Sequence, residues 1–135
     1  MAATGRHGAR RLLVQALYQQ QLAGHDYAEL ANQYCSEPAF GQVDGDYFRE
    51  LLGRILAATD DLDAAIAAAA DRPVAQLDPV ERGILRLGAA ELRFRPDVPP
   101  RVAINEAVQL AREFGAQDSY RYVNAVLDRL AAGRD

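Results

Sequence analysis

Apolar residues along most of this chain recur every three or four positions, the spacing that places them on one face of an α-helix. The clearest stripe runs over residues 104–114, and a second runs over residues 123–130. No segment alternates apolar and polar residues as a half-buried strand does, and β-branched residues are sparse. The pattern therefore predicts an all-α fold, a single-domain compact helical bundle of about seven helices.

Residues typical of helix ends support this division. Proline suits a first helical turn, because its missing N–H has no intrahelical acceptor there, and Pro100 and Pro79 both precede an apolar stripe. Asp78 is placed to cap the helix that Pro79 begins, with Glu81 closing a capping box. Gly115 predicts the end of the helix before it, and the next helix is expected to be capped by Asp118 or Ser119.

The helix predicted from residue 79 to about residue 94 carries apolar residues on two faces, so it is expected to be the central rod, with Gly88 allowing close helix approach. Other helices are predicted at residues 9–22 and 27–35, with a loop at 36–45. Asp46 is expected to cap the helix after that loop, and Asp60 or Asp61 the following one, which ends before Pro73. The glycines among residues 1–8 predict a flexible basic arm.

The composition fits one folded domain covering residues 1–135. Half of the residues are hydrophobic and a quarter are charged, which excludes disorder. No apolar run approaches the roughly 20 residues of a membrane helix, and the first residues do not resemble a signal peptide. One cysteine cannot form an internal disulfide, so a cytoplasmic location is expected. With only two histidines, no metal or other cofactor is predicted.

The formal net charge of −4 is unevenly distributed. Residues 1–21 carry +3, residues 22–81 carry −9 and residues 82–135 carry +2. If the two basic ends meet in the fold, they form a positive patch on an acidic body, which suits a nucleic-acid partner. The alternative is an ordinary fluctuation of surface charge along the chain.

The sequence offers little for an enzyme, since it has no nucleophile elbow, phosphate-binding glycine loop or metal-spaced His and Cys residues. We predict that the protein is not an enzyme. A binding function has more support, because arginines near the amino terminus suit phosphate contacts and Tyr18, Tyr120 and Tyr122 suit stacking on unpaired RNA bases. Core packing of these tyrosines and simple helix capping by Asp118 explain the same residues, and the pattern alone leaves both interpretations open.

Four strings, in order, resemble the NusB family of bacterial transcription antitermination factors. They are ARRLLVQALYQQQL at 9–22, DYFRELL at 46–52, LDPVERGILRLGAAEL at 77–92 and the run from VAINEAVQLAREFG to VNAVLDRLA at 102–131. Together they span nearly the whole chain. The resemblance implies an all-α NusB-like fold and a factor that binds boxA-type single-stranded RNA together with the ribosomal protein NusE. Such a complex acts indirectly on transcribing RNA polymerase and supports read-through in ribosomal-RNA transcription.

The resemblance also implies site residues, carried over position by position. The implied RNA-binding residues are Arg6, Arg10, Gln15, Tyr18, Asp118, Arg121 and Tyr122. The residues implied to bind NusE are Val80, Glu81 and Ile84. Two alternatives remain: a homodimeric helical protein whose RNA surface is occluded, and a stand-alone relative of the amino-terminal domain of ribosomal-RNA methyltransferases. The sequence does not decide between a monomer and a homodimer.

Overall fold

A computed structural model describes residues 3–70 and 73–133. Within these residues the chain forms seven α-helices, and no strand is present beyond one isolated bridge between Gly5 and Val43. The helices are α1 (Gly5–Ala23), α2 (Tyr27–Cys35), α3 (Gly45–Ala57), α4 (Thr59–Ala70), α5 (Pro79–Phe94), α6 (Pro100–Phe114) and α7 (Ser119–Ala132). Short 3-10 turns cover Pro38–Gln42 and Val74–Gln76. The prediction of an all-α bundle of about seven helices is confirmed.

Helix α5 is the central rod, as its two apolar faces predicted. Ten consecutive residues, 83–92, are buried, because α1, α3, α4, α6 and α7 all pack against it. Gly88 allows one of these approaches, since a Cβ atom there would lie 2.7 Å from Cδ1 of Leu127 on α7. Helices α6 and α7 form the predicted hairpin on one side of this rod.

Two predicted caps differ from those in the structure. Helix α3 begins at Gly45, one residue before the expected Asp46, and Asp44 is its cap, accepting a 3.1 Å hydrogen bond from the Tyr47 amide. Asp60 and Asp61 lie inside the first turn of α4, where their charge favours the helix dipole without capping it. In both helices, aspartates that were expected to cap the first turn lie within it, because the apolar pattern alone does not fix the first residue of a helix.

The predicted flexible arm over residues 1–8 is wrong for residues 5–8, which form the first turns of α1; residues 1 and 2 lie outside the described range. Gly8 is buried, and a Cβ atom there would lie 2.6 Å from Cγ1 of Val43. The amide of Asp44 also donates a 2.9 Å hydrogen bond to the Gly5 carbonyl. Gly8 therefore serves close packing, which outweighs the entropic cost of glycine in a helix.

Two glycines of α5 should respond oppositely to alanine. Gly83→Ala places Cβ 3.4 Å from the Leu17 Cβ, an ordinary contact, so it should raise the free energy of unfolding by up to about 1 kcal/mol through helix propensity. In Gly88→Ala the added Cβ atom meets the buried Leu127 side chain. This variant should lower the free energy of unfolding by about 1–2 kcal/mol, because the cost of overpacking outweighs the gain in helix propensity. Urea unfolding followed by circular dichroism measures both, and equal effects would contradict the close α5–α7 contact.

Candidate nucleic-acid interface

One face of α1 is exposed beside an apolar groove. Tyr18 and Leu22 are 41% and 61% exposed, and Gln15 is exposed between them and the start of the helix. The groove has a volume of about 560 Å³. Its lining residues are Val14, Gln15, Tyr18, Gln19, Leu22, Ala23, Tyr34, Val80 and Phe114. An exposed tyrosine ring beside an apolar floor is the kind of surface on which an unpaired base can stack.

The start of α5 forms one wall of this groove. Gln21 on α1 donates a 2.8 Å hydrogen bond to the Pro79 carbonyl, and Val80 lines the groove together with Tyr18. Two expected partner-binding residues, Val80 and Glu81, are half-buried and accessible, so they lie next to the proposed RNA surface. The third, Ile84, has no exposed surface and belongs to the core, so its assignment as a partner contact is wrong.

Asp118 lies in the left-handed region, with φ of 67°, immediately before α7. Its side chain makes no capping hydrogen bond, although it occupies the cap position that the sequence predicted. A left-handed residue is unlike the extended conformation from which a side chain usually caps. The carboxylate therefore remains exposed, 3.8 Å from Nε of Arg121.

The other predicted cap, Ser119, is also used differently. Its hydroxyl donates a 2.6 Å hydrogen bond to Oε2 of Glu81, so Glu81 does not close a capping box. Asp78 alone caps α5, accepting a 2.8 Å bond from the Glu81 amide. The starts of α5 and α7 are thereby joined directly.

Three side chains around the α6–α7 link, those of Arg112, Tyr120 and Arg121, form a small cationic surface. The Arg112 guanidinium lies 4.3 Å from the centre of the Tyr120 ring, and Nε of Arg121 donates a 3.1 Å hydrogen bond to the Tyr120 hydroxyl. That hydrogen bond, with the negative charge that Tyr120 carries once it ionises, raises the pKa of Arg121. Arg112 makes no ion pair within residues 3–70 and 73–133, so its charge is available to a phosphate.

Tyr122 is directed elsewhere. It is half-buried, and its hydroxyl lies 3.5 Å from the carbonyl of Ala70 at the end of α4, a helix that does not line the groove. The structure thus separates Tyr122 from Gln15 and Tyr18, although the sequence grouped all three. Its ring is not part of the stacking surface beside α1.

Arg10 is a buried structural residue and does not form the exposed phosphate contact that was predicted. It is 3% exposed, its Nη2 lies 2.8 Å from Oε2 of Glu91 on α5, and its Nη1 donates a 3.0 Å bond to Glu106 on α6. The Tyr47 hydroxyl also donates to Glu91. Burial alone would lower the pKa of Arg10, but the hydrogen bond and charge of Glu91, with those of the neighbouring groups, raise it.

Arg6 is half-exposed but is also paired with acids. Its guanidinium lies 4.2 Å from the centre of the Tyr47 ring, and its nitrogens lie 3.5 Å from Asp97 and 4.0 Å from Asp44. Arg6 and Arg10 are neutralised by Asp44 and by three acids of the carboxy-terminal segment, Glu91, Asp97 and Glu106. The predicted patch from two meeting basic ends therefore does not form at the start of α1.

Glu91, Glu106 and Phe114 are the main residues that sequence reasoning missed. Glu106 lies on an otherwise apolar face of α6, where it pairs with Arg10 and, at 2.9 Å, with Nδ1 of His7. Phe114 had been counted only in the apolar stripe of α6, yet it lines the groove beside Tyr18. No sequence signal distinguishes a groove residue from a core residue at that spacing.

The acidic cluster near the start of α4 has a structural explanation. Asp63 receives two 2.7 Å hydrogen bonds from Arg86 of α5, a bidentate ion pair. Within the described residues, no group of three or more His, Cys, Asp or Glu side chains is placed to hold a metal ion. No helix in this part of the chain is long and apolar enough to span a bilayer.

Comparison with known proteins gives a consistent result. A model of the NusB family matches residues 7–132. Transcription antitermination protein NusB of Shewanella piezotolerans is 47% identical over 132 residues, covering 98% of each chain. The protein of the same name from Alcanivorax borkumensis is 48% identical over 128 residues, covering 95% of this chain and 85% of that one.

Solved structures agree with these relatives. T. maritima NusB superposes with a TM-score of 0.83 at 26% identity, covering 98% of this chain and 93% of that chain. A chain from a crystal structure of antitermination factors NusB and NusE in complex with double-stranded RNA superposes with a TM-score of 0.85 at 26% identity. That match covers 94% of this chain and 96% of the other.

The buried contacts among Arg10, Glu91 and Tyr47 predict that the fold loses stability at alkaline pH. Burial, with the charge and hydrogen bond of Glu91, raises the pKa of Tyr47 above the ordinary value of 10.0. The neutral phenol therefore stabilises the fold fully below pH 10, and this contribution is lost as pH rises toward the folded pKa. Tyr47→Phe should lower the free energy of unfolding by about 1–3 kcal/mol at pH 7 and flatten its decline above pH 10.

Urea unfolding at pH 7 and at several values above pH 10 measures this effect. Tyr18→Phe is the control, since Tyr18 is exposed in the groove and its substitution should leave both the stability and its alkaline decline unchanged. An identical alkaline decline in the wild type and Tyr47→Phe would contradict the assigned role of Tyr47.

Proposed function

Because this chain belongs to the NusB family, we propose that it is a transcription antitermination factor that binds boxA-type single-stranded RNA together with the ribosomal protein NusE. The observation that carries the proposal is the 47% identity to a transcription antitermination protein across 98% of both chains. The match to a chain from a NusB–NusE–RNA structure supports joint binding of RNA and NusE. The proposal includes no catalytic step and a cytoplasmic site of action, on the transcribing polymerase complex.

The proposed RNA surface joins the groove on α1 to the start of α7. Tyr18 supplies an exposed ring for base stacking, and the Gln15 amide lies beside it for hydrogen bonding. Arg121 and Arg112 supply phosphate contacts, while the exposed Asp118 carboxylate faces the RNA near the bases. Arg6 remains a candidate phosphate contact, because its exposed ion pairs are weak and can exchange for a phosphate.

The proposed NusE surface begins at the adjacent start of α5. Val80 and Glu81 are accessible there, and residues 22–81 carry a formal charge of −9. An excess of acidic residues of this kind attracts a basic ribosomal protein and raises its association rate. The RNA and NusE surfaces are therefore neighbours, joined by the contact between Glu81 and Ser119.

A homodimer is the second candidate state, and the exposed apolar residues of the groove favour it. Tyr18, Leu22 and Val80 would be covered by a second copy of the chain, which would occlude RNA. Sedimentation of the free protein with and without RNA distinguishes the two states. A stand-alone methyltransferase domain receives no such support, because the relatives named above are antitermination proteins along nearly their full length.

Asp118→Asn should strengthen RNA binding by about 1 kcal/mol, or roughly fivefold, because it removes a carboxylate that repels phosphates. Fluorescence titration with boxA RNA, a scrambled strand and a duplex of the boxA sequence measures affinity and preference. Asp128→Asn is a charge-matched control, since Asp128 is exposed on α7, ten residues after Asp118. If both variants bind RNA as the wild type does, Asp118 is not part of the RNA surface.

Saturating NusE should raise the affinity of the protein for boxA RNA. Glu81→Lys should weaken the protein–NusE complex, because it reverses the charge at the start of α5. Isothermal titration of NusE into the wild type and into each variant measures the affinity for NusE. Glu37→Lys makes the same charge change at another exposed acid of the region covering residues 22–81 and should weaken the complex much less. RNA affinities that are equal with and without NusE would contradict joint binding.

A further inference from the structure

We propose that the hydrogen bond between Ser119 and Glu81 couples NusE binding at the start of α5 to RNA binding at the start of α7. The inference rests on the proposed function and assigns Ser119 as a positioning residue. Ser119 itself is 6% exposed, so it offers little surface to either ligand. Ser119 acts through Glu81, to which its hydroxyl is hydrogen-bonded, and through Asp118, the residue before it in the sequence.

The bond is well placed to transmit a change. The Ser119 hydroxyl donates to Oε2 of Glu81 at 2.6 Å, a charge-assisted hydrogen bond between residues 38 positions apart. The backbone of Glu81 is itself fixed, because its amide donates to the Asp78 side chain at 2.8 Å. A change in the orientation of the Glu81 carboxylate therefore acts on Ser119 through their hydrogen bond, while the Asp78 cap holds the Glu81 backbone in place.

Ser119 is also held from the α6–α7 link. Its amide donates a 3.0 Å hydrogen bond to the Ala116 carbonyl. A Cβ atom at Gly115 would lie 3.2 Å from both Cβ and Oγ of Ser119, so the link closes tightly over this side chain. The Ser119 side chain and amide therefore both lie against the link that carries Asp118.

Asp118 is the residue on which such a movement acts. Its left-handed conformation is uncommon for a residue with a Cβ atom, although aspartate adopts it more readily than most, and it depends on the contacts of the residues beside it. No capping hydrogen bond of its own side chain holds Asp118 in place. The fixed position of Ser119, the next residue, thus sets where the Asp118 carboxylate and the neighbouring Arg121 face the RNA.

Positive coupling follows from this arrangement. One oxygen of Glu81 is bonded to Ser119, and a cationic group of NusE at the carboxylate would hold Glu81 in its present orientation. Ser119 and Asp118 would then be restricted to one geometry before RNA arrives, so RNA would bind with a smaller ordering cost. By linkage, bound RNA favours NusE to the same extent.

The test measures a coupling factor, the ratio of the boxA RNA dissociation constants without and with saturating NusE. Coupling of typical size gives a wild-type factor of about 5 to 150. Ser119→Ala removes the hydrogen-bond donor with little change of side-chain volume. This variant should reduce the coupling factor by about fivefold or more, or to unity where the wild-type factor is itself below about five. A purely structural loss of RNA affinity changes both dissociation constants alike and leaves the ratio unchanged.

Ser36→Ala is the matched control, because its hydroxyl makes a comparable 2.7 Å hydrogen bond to the Asn32 carbonyl on α2. This variant should retain the wild-type factor. Failure of the wild type to bind RNA or NusE would refute the proposed function. Binding of both with a factor of unity in the wild type, or with an unchanged factor in Ser119→Ala, would overturn the coupling inference alone.

Amide signals of the wild-type protein provide a second measurement that does not depend on the variant folding. Addition of NusE without RNA should shift the NMR signals of Asp118 and Ser119. Signals of Ser36 and its neighbours on α2 should stay in place. Unchanged signals of both Asp118 and Ser119 in the NusE-bound protein would also overturn the inference.

Discussion

The buried pairing of Arg10 with Glu91 is the constraint on which the arrangement of the bundle depends. Helix α5 is covered by five other helices, so a carboxylate on it must find a cation and further hydrogen bonds. Arg10 and Tyr47 supply them from α1 and α3. With the bond from Gln21 to Pro79 at the other end, the pairing fixes the antiparallel register of α1 on α5. That register leaves the Tyr18 face of α1 exposed.

The helical architecture could be predicted from the sequence because burial is periodic. The stripes of α6 and α7 and the two apolar faces of α5 specify which surfaces must be covered, and Asp78, Pro79 and Gly115 mark helix ends. Helix boundaries are harder to predict where several polar residues compete. Asp44 and Asp46 are chemically equivalent caps, and in the structure Asp44 caps α3 while Asp46 lies in its first turn.

The candidate site was only partly predictable, because exposure and pairing depend on residues far apart in sequence. Arg10 looked like an exposed cation at a helix start, since its acceptors lie 81 and 96 residues away. Ile84 and Tyr122 lie in motifs implied to bind ligands, yet one is in the core and the other reaches α4. Tyr18 is exposed, as base stacking requires, and its role in RNA binding stays a prediction.

We propose that RNA binds where α1, the start of α5 and the start of α7 meet. Amide NMR shifts on addition of boxA RNA locate the binding surface. The largest shifts are expected at Gln15, Tyr18, Asp118 and Arg121, with little change around Leu62 and Leu92 on the other side of α5. Shifts concentrated at Leu62 and Leu92, with Tyr18 and Asp118 unchanged, would contradict it.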